Sequence, residues 1–142
     1  MNYTRSVGQR INMLGRLFAK QLNDQILNTG ITGSQWSVVT RLLLHGELTQ
    51  AMLCEQLSVE APTISKTLYS MEKAGWINRI VDENDKREKK SILTDKAKAH
   101  IPIWLELVND LNTQAINGIP SEDIAVFDHV LNQILENLRN PI

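Results

Sequence analysis

Thr63, Lys66, Thr67, Ser70 and Lys73 fall at i, i+3, i+4, i+7 and i+10, so on an α-helix they share one face. Their side chains are short hydroxyls, which let a backbone come close to a partner, and ammonium groups, which neutralise phosphates. Ile64, Leu68 and Met71 fall at i, i+4 and i+7 and give the same segment an apolar face to bury. A helix divided in this way suits a nucleic-acid groove, and it equally describes an ordinary solvated helix. A second cluster follows. Asp82-Glu83-Asn84-Asp85-Lys86-Arg87-Glu88-Lys89-Lys90 mixes both signs of charge. An arginine at a loop tip, steadied by a nearby carboxylate, can probe a narrow minor groove, where negative potential is concentrated. A charged, soluble loop has the same composition.

Enzyme chemistry finds no footing here. There is no glycine-rich phosphate loop, no G-x-S-x-G turn and no paired-histidine metal motif. Asp82, Glu83 and Asp85 are neighbours on a loop that should be hydrated, not a buried acid–base pair. His45, His100 and His129 are scattered, and Cys54 is the only cysteine, so neither a metal site nor a disulfide framework is expected. Cys54, flanked by Leu53 and Leu57, reads as a small buried thiol. No cofactor is implied, and the chain is not expected to be an enzyme.

The elements that must position these residues are legible in the period of the apolar side chains. Val7, Ile11, Leu14, Phe18, Leu22 and Ile26 predict an amphipathic helix that ends near Thr29-Gly30. Thr32 and Gln35 resemble a capping box for a second helix, Trp36 to His45, stopped by Gly46. Thr49 can cap a short third helix through Leu57. A tight turn at Ser58-Val59 then leads into a fourth helix from about Ala61 to Ala74, with Pro62 in its first turn and Gly75 after its end. The period then shortens. Residues 76–81 and 89–93 read as two strands of a hairpin, with the polar loop 82–88 at its tip. Thr94 can cap a long helix to about Asn117, bent at Pro102, and Gly118 to Ser121 separates it from a last helix. That last helix carries the stripe Phe127, Val130, Leu131, Ile134, Leu135 and Leu138.

Helices around a tight turn, followed by a hairpin, predict a mainly α fold with a small β wing: a winged helix-turn-helix over residues 31–99, in which the fourth helix enters the major groove. Residues 1–30 and 100–142 would supply helices for dimerisation, because the final stripe has no obvious partner in so small a domain. The chain has 142 residues, 42% hydrophobic and 22% charged, which suits one such module. No apolar run approaches the ~20 residues of a membrane span and no signal-like stretch opens the chain, so a cytoplasmic protein without membrane association is expected. Net charge is −1, yet residues 1–46 carry five basic residues against one acid, and residues 101–142 carry one against six. The total therefore does not exclude a polyanionic partner.

At this point the residues resemble the multiple antibiotic resistance regulator (MarR) family of bacterial transcription factors. The likeness lies in Leu48-Thr49-Gln50, Leu57, Pro62-Thr63-Ile64-Ser65-Lys66, Leu68, Met71-Glu72, Gly75-Trp76-Ile77 and Arg79, then Asp85-Lys86-Arg87 and, six residues beyond Arg87, Leu93-Thr94. Within the family the chain looks most like the SlyA branch, since Glu60 lies ahead of Pro62 and Asp95-Lys96-Ala97 follows the wing. The resemblance implies a homodimer on a pseudopalindromic double-stranded DNA operator, a repressor more often than not, released by a small phenolic or aromatic carboxylate ligand. Carried over by position, Thr63, Ser65, Lys66 and Thr67 would lie in the major groove. Arg87, flanked by Lys86 and Lys89, would serve the minor groove, and Asp85 would brace the wing. Trp36, Arg41 and His45 would lie near the ligand pocket; a core tryptophan and a surface arginine describe the same residues. Two departures stand out. Glu60 replaces a frequent serine where DNA approaches, and could accept from a cytosine amino group or repel a phosphate. Ala97 replaces a frequent glycine. A winged helix that binds protein instead of DNA is the remaining alternative; it would show an apolar patch where a DNA reader shows a positive strip over Lys66, Lys86, Arg87 and Lys89.

Overall fold

Ser6 starts the first helix by accepting a hydrogen bond from the Gln9 backbone N–H at 3.4 Å, one of the donors a helix start leaves unpaired. The computed structural model describes residues 6–81, 83–85 and 87–140. Helix α1 spans Val7–Ile26 and tightens into a 3₁₀ turn at Leu27–Thr29. Helix α2 spans Gly33–His45, three residues earlier than the apolar period predicts, because both halves of the Thr32–Gln35 capping box form ahead of the first buried side chain. Strand β1, Glu47–Thr49, runs directly into α3, Gln50–Leu57, whose cap is the same Thr49. Helix α4 spans Ala61–Ala74, β2 Ile77–Val81, β3 Lys89–Leu93, α5 Asp95–Ala115 and α6 Ser121–Arg139.

The sheet corrects one expectation. It has three antiparallel strands in the order β1-β3-β2, where a two-stranded hairpin is read from the sequence. In the hairpin Ile77 stands opposite Leu93 and Val81 opposite Lys89; β1 adds Glu47 opposite Ile92 and Thr49 opposite Lys90. A three-residue strand is too short to display a period of two, so Leu48 and Thr49 read as a helix approach. Both are buried, and the Lys90–Glu47 ion pair at 3.0 Å lies along the added edge.

Two compact units divide the chain after Val108. In the first, α2, α3, α4 and the sheet close over Val38, Val39, Leu42, Leu53, Leu68 and Met71. Three indoles mark its other end: Trp104 lies edge-on to Trp76 at 5.0 Å and to Trp36 at 6.2 Å. Such edge-to-face pairs satisfy the ring quadrupoles as well as burying area. Trp104 Nε1 donates to Thr29 Oγ1 at 3.1 Å, and that hydroxyl donates onward to the Ile26 carbonyl at 2.6 Å. The polar edge of the indole is thereby paired, and it fixes the end of α1 against α5.

The second unit contains the end of α5 and α6. Glu122 and Asp123 in the first turn of α6 and Arg139 in its last complement the helix dipole. Its apolar stripe is largely uncovered: Phe127, Val130, Leu135 and Leu138 are exposed, Leu138 to 75%. On α1, in the other unit, Val7, Met13, Leu14 and Leu17 are exposed as well. We expect Trp104→Ala to cost about 3–5 kcal/mol, as large-to-small core changes do, and Thr29→Val to cost about 1–3 kcal/mol by leaving the indole N–H unpaired. Urea unfolding monitored by circular dichroism measures both; a Thr29→Val variant as stable as the parent would remove the hydrogen bond from the account.

Candidate nucleic-acid interface

Helix α4 begins at Glu60, whose carbonyl accepts from the backbone N–H groups of Thr63 and Ile64, both at 3.1 Å. The Glu60 carboxylate makes no capping bond and stands exposed at the positive end of the helix. Ile64, Leu68 and Met71 are buried, which turns Thr63, Ser65 and Lys66 outward. The hydroxyls further along are already engaged. Thr67 Oγ1 donates to the Thr63 carbonyl at 3.0 Å, and Ser70 Oγ donates to the Thr67 carbonyl at 2.8 Å. Ser70 also accepts from Gln35 Nε2 at 3.0 Å, so the capping box of α2 reaches across to α4. Thr63 and Thr67 border a recess of about 140 Å³ shared with Ser34 and Ser37 of α2. Tyr69, one turn beyond Ser65, is 64% exposed on the same helix and is absent from the sequence reading. Its spacing from Ser65 and Lys66 is the signal that would have placed it there.

In the wing, Asp85 Oδ1 accepts from the Arg87 backbone N–H at 3.1 Å and from Arg87 Nε at 3.4 Å. The Asp85 carbonyl accepts from the Glu88 N–H at 3.0 Å and closes the turn. An aspartate bonding the backbone two residues on is the side-chain equivalent of a turn, and here it also sets the guanidinium's direction. The Arg87 side chain remains 92% exposed. Lys89 is exposed, and Lys86 lies outside the described residues.

The residues assigned to a ligand pocket do not converge. Trp36 is buried against Trp104. His45, nine residues on at about 100° per residue, leaves the opposite side of α2 and is exposed. Arg41 is half-buried, and its Nε has no partner among the described residues. An aromatic ligand at Trp36 would compete with the indole already packed there. Cys54 is half-buried rather than enclosed; it packs on the core and also borders an open groove between α3, the start of α4 and the wing.

A helix presented beside a hairpin, on a three-helix core closed by a short sheet, defines a winged helix-turn-helix. The sequence pattern of the MarR family matches residues 31–89. The HTH-type transcriptional regulator YwoH of Bacillus subtilis, itself uncharacterized, is 35% identical over 138 residues, 96% of this chain and 99% of YwoH. Among solved structures, a SlyA-like transcription regulator from Listeria monocytogenes aligns with a TM-score of 0.88 at 20% identity, covering 94% of this chain and 89% of that one. A MarR mutant from E. coli complexed with operator DNA aligns with a TM-score of 0.84 at 24% identity, covering 94% and 96%. The chain belongs to the MarR family, whose members are transcriptional regulators and not enzymes.

The Asp85–Arg87 pair is solvent-exposed, so Coulomb attraction adds little to folding. Asp85→Ala should change unfolding stability by less than about 0.5 kcal/mol, while releasing the wing turn. Comparing chemical denaturation with amide exchange at Arg87 and Glu88 checks this; unchanged exchange would mean that Asp85 does not hold the turn.

Proposed function

We propose that the protein is a homodimeric, sequence-specific DNA-binding regulator that represses from a pseudopalindromic operator. The observation that carries the reading is the exposed Arg87, held by Asp85, beside a helix whose outward residues are Thr63, Ser65 and Lys66. In this reading the first turns of α4 enter the major groove, with Thr67 bonded along the helix and Lys66 free to reach a phosphate or a guanine edge. Arg87 enters the minor groove, where its planar, permanently charged fork suits the narrow, negative space better than an ammonium would. Lys86 and Lys89 add phosphate contacts. The likeness to the fold of the E. coli MarR mutant solved with operator DNA supports this placement.

The exposed apolar residues of α1 and α6 support a dimer. Leaving several large aliphatic side chains and Phe127 in water is unfavourable, and a second copy is the cover that a palindromic operator also requires. Two recognition helices would then meet successive major grooves about 34 Å apart. Release of DNA by a small aromatic carboxylate remains part of this reading, with Arg41 the cation available to it.

Selection of duplexes from a random pool with the purified protein, followed by titration, tests the reading. Lys66→Ala should lower the salt dependence of binding by about one unit if the ammonium meets a phosphate, or cost about 1–3 kcal/mol of discrimination at one base pair if it meets a base. Arg87→Ala should weaken binding most on operators with A·T steps beside the half-sites. Unchanged affinity for Arg87→Ala at every salt concentration would mean that the wing does not touch DNA and would favour a protein-binding wing. Sedimentation should give a dimeric mass at micromolar concentration, and a monomeric mass would remove the two-fold model.

A further inference from the structure

Ser70 lies on the exposed side of α4, yet its hydroxyl is engaged inside the protein. Its Oγ donates to the Thr67 carbonyl at 2.8 Å and accepts from Gln35 Nε2 at 3.0 Å, a bond that leaves α4 for the start of α2. The other end of the Gln35 amide is engaged too. Gln35 Oε1 accepts from the Thr32 backbone N–H at 3.1 Å, while the Gln35 backbone N–H donates to Thr32 Oγ1 at 3.2 Å. A primary amide has one accepting end and one donating end. The capping box takes the oxygen, so the nitrogen is turned toward α4. One residue therefore starts a helix and ties down its neighbour.

The same corner is fastened to α1. The backbone N–H of Gly33, the first residue of α2, donates to Asn23 Oδ1 at 2.7 Å. That close approach depends on glycine, because a Cβ at position 33 would stand 3.1 Å from Asn23 Oδ1 and 3.3 Å from Leu22 Cδ2. A path of hydrogen bonds and one peptide link thus runs from Asn23 on α1, through Gly33, Thr32 and Gln35 at the start of α2, to Ser70 on α4. All three helices belong to the first compact unit.

In the reading proposed above, the two ends of this path have different work. Helix α1 offers apolar side chains to a second copy, and α4 enters the major groove. In a two-fold assembly the distance between recognition helices follows from how each α4 is carried relative to its own dimerisation helix. Core packing holds helices together but permits small sliding shears. Directional bonds at their edges resist such sliding. We infer that Gln35 is a positioning residue: through Ser70 on one side and Gly33–Asn23 on the other it fixes α4 against α1, and so sets the half-site spacing that the dimer accepts, without touching DNA. The inference rests on the dimeric DNA-binding reading and adds the joint that sets its geometry.

The test is fluorescence anisotropy on a selected operator, on that operator with one base pair added or removed between the half-sites, and on an unrelated duplex. Ser70→Ala cuts the bridge and leaves both bonds of the capping box. It should lower the preference for the selected spacing by about two- to tenfold, the range that one net hydrogen bond spans. The salt dependence on the unrelated duplex should not change, since no phosphate contact is lost. Asn23→Ala cuts the path at its α1 end and should act alike. Ser70→Thr keeps the hydroxyl and should keep the preference. Gln35→Met added to Ser70→Ala should lower the preference no further, because the same link is already cut. Thr32→Ala removes a cap hydroxyl and should lower the melting temperature with the spacing preference intact. An equal loss of preference in Thr32→Ala would make the effect one of stability alone and overturn the positioning role. An unchanged preference in either Ser70→Ala or Asn23→Ala, or a parent protein indifferent to spacing, would overturn it too; binding of the operator over the unrelated duplex would still uphold the DNA-binding reading. Absence of duplex binding by the parent protein at low salt would overturn both.

Discussion

The corner at Gly75–Trp76 is the constraint on which the rest of the first unit depends. The chain must leave α4 there and reverse into β2 within two residues, and Gly75 does so at φ 84°, in the left-handed region that side chains with a Cβ resist. Its N–H and that of Trp76 return to the carbonyls of Glu72 and Met71 at 3.1 and 2.9 Å. From the other side, Thr94 Oγ1 donates to the Gly75 carbonyl at 2.6 Å and accepts from the Ala97 N–H at 3.1 Å. Lys96 donates to the Ala74 carbonyl at 2.7 Å, with its ammonium 4.2 Å from the centre of the Trp76 ring. The end of α4, the start of the wing and the start of α5 thus share one set of hydrogen bonds.

Trp76 extends that corner into the core. Its ring meets Trp104 and His100 edge-on, both at 5.0 Å, so the junction is held by edge-to-face aromatic packing as well as by polar bonds. The cost is visible: Trp76 Nε1 is buried without a partner among the described residues. In the proposed DNA-binding mode, two probes entering adjacent grooves of one duplex would be useful only at a fixed separation, and this corner lies between the elements that carry Lys66 and Arg87.

Along α4 the hydroxyls show a similar economy. Thr67 and Ser70 bond back along the helix, and Gln35 ties Ser70 to α2, so the middle of the helix is braced while its first turn stays open. The six acids of residues 101–142 all lie on α5 and α6, whereas residues 47–100, which include α4 and the wing, balance nine bases with nine acids.

Much of this was written into local sequence. The apolar period places Ile64, Leu68 and Met71 inward; Thr32–Gln35 and Thr49 mark helix starts; Gly75 marks a stop; and the change of period after it marks the hairpin. Each depends on residues within a turn or two of one another, so the chain itself carries the information. The third strand was not legible, because three residues at 47–49 have no period and become a strand only when Lys90 and Ser91 arrive from more than 40 positions away. Nor were the burial of Trp36 against Trp104 or the half-exposed Cys54. Those depend on which distant side chains occupy the adjoining space. Spacing decides which face a residue takes, and only packing decides what that face meets.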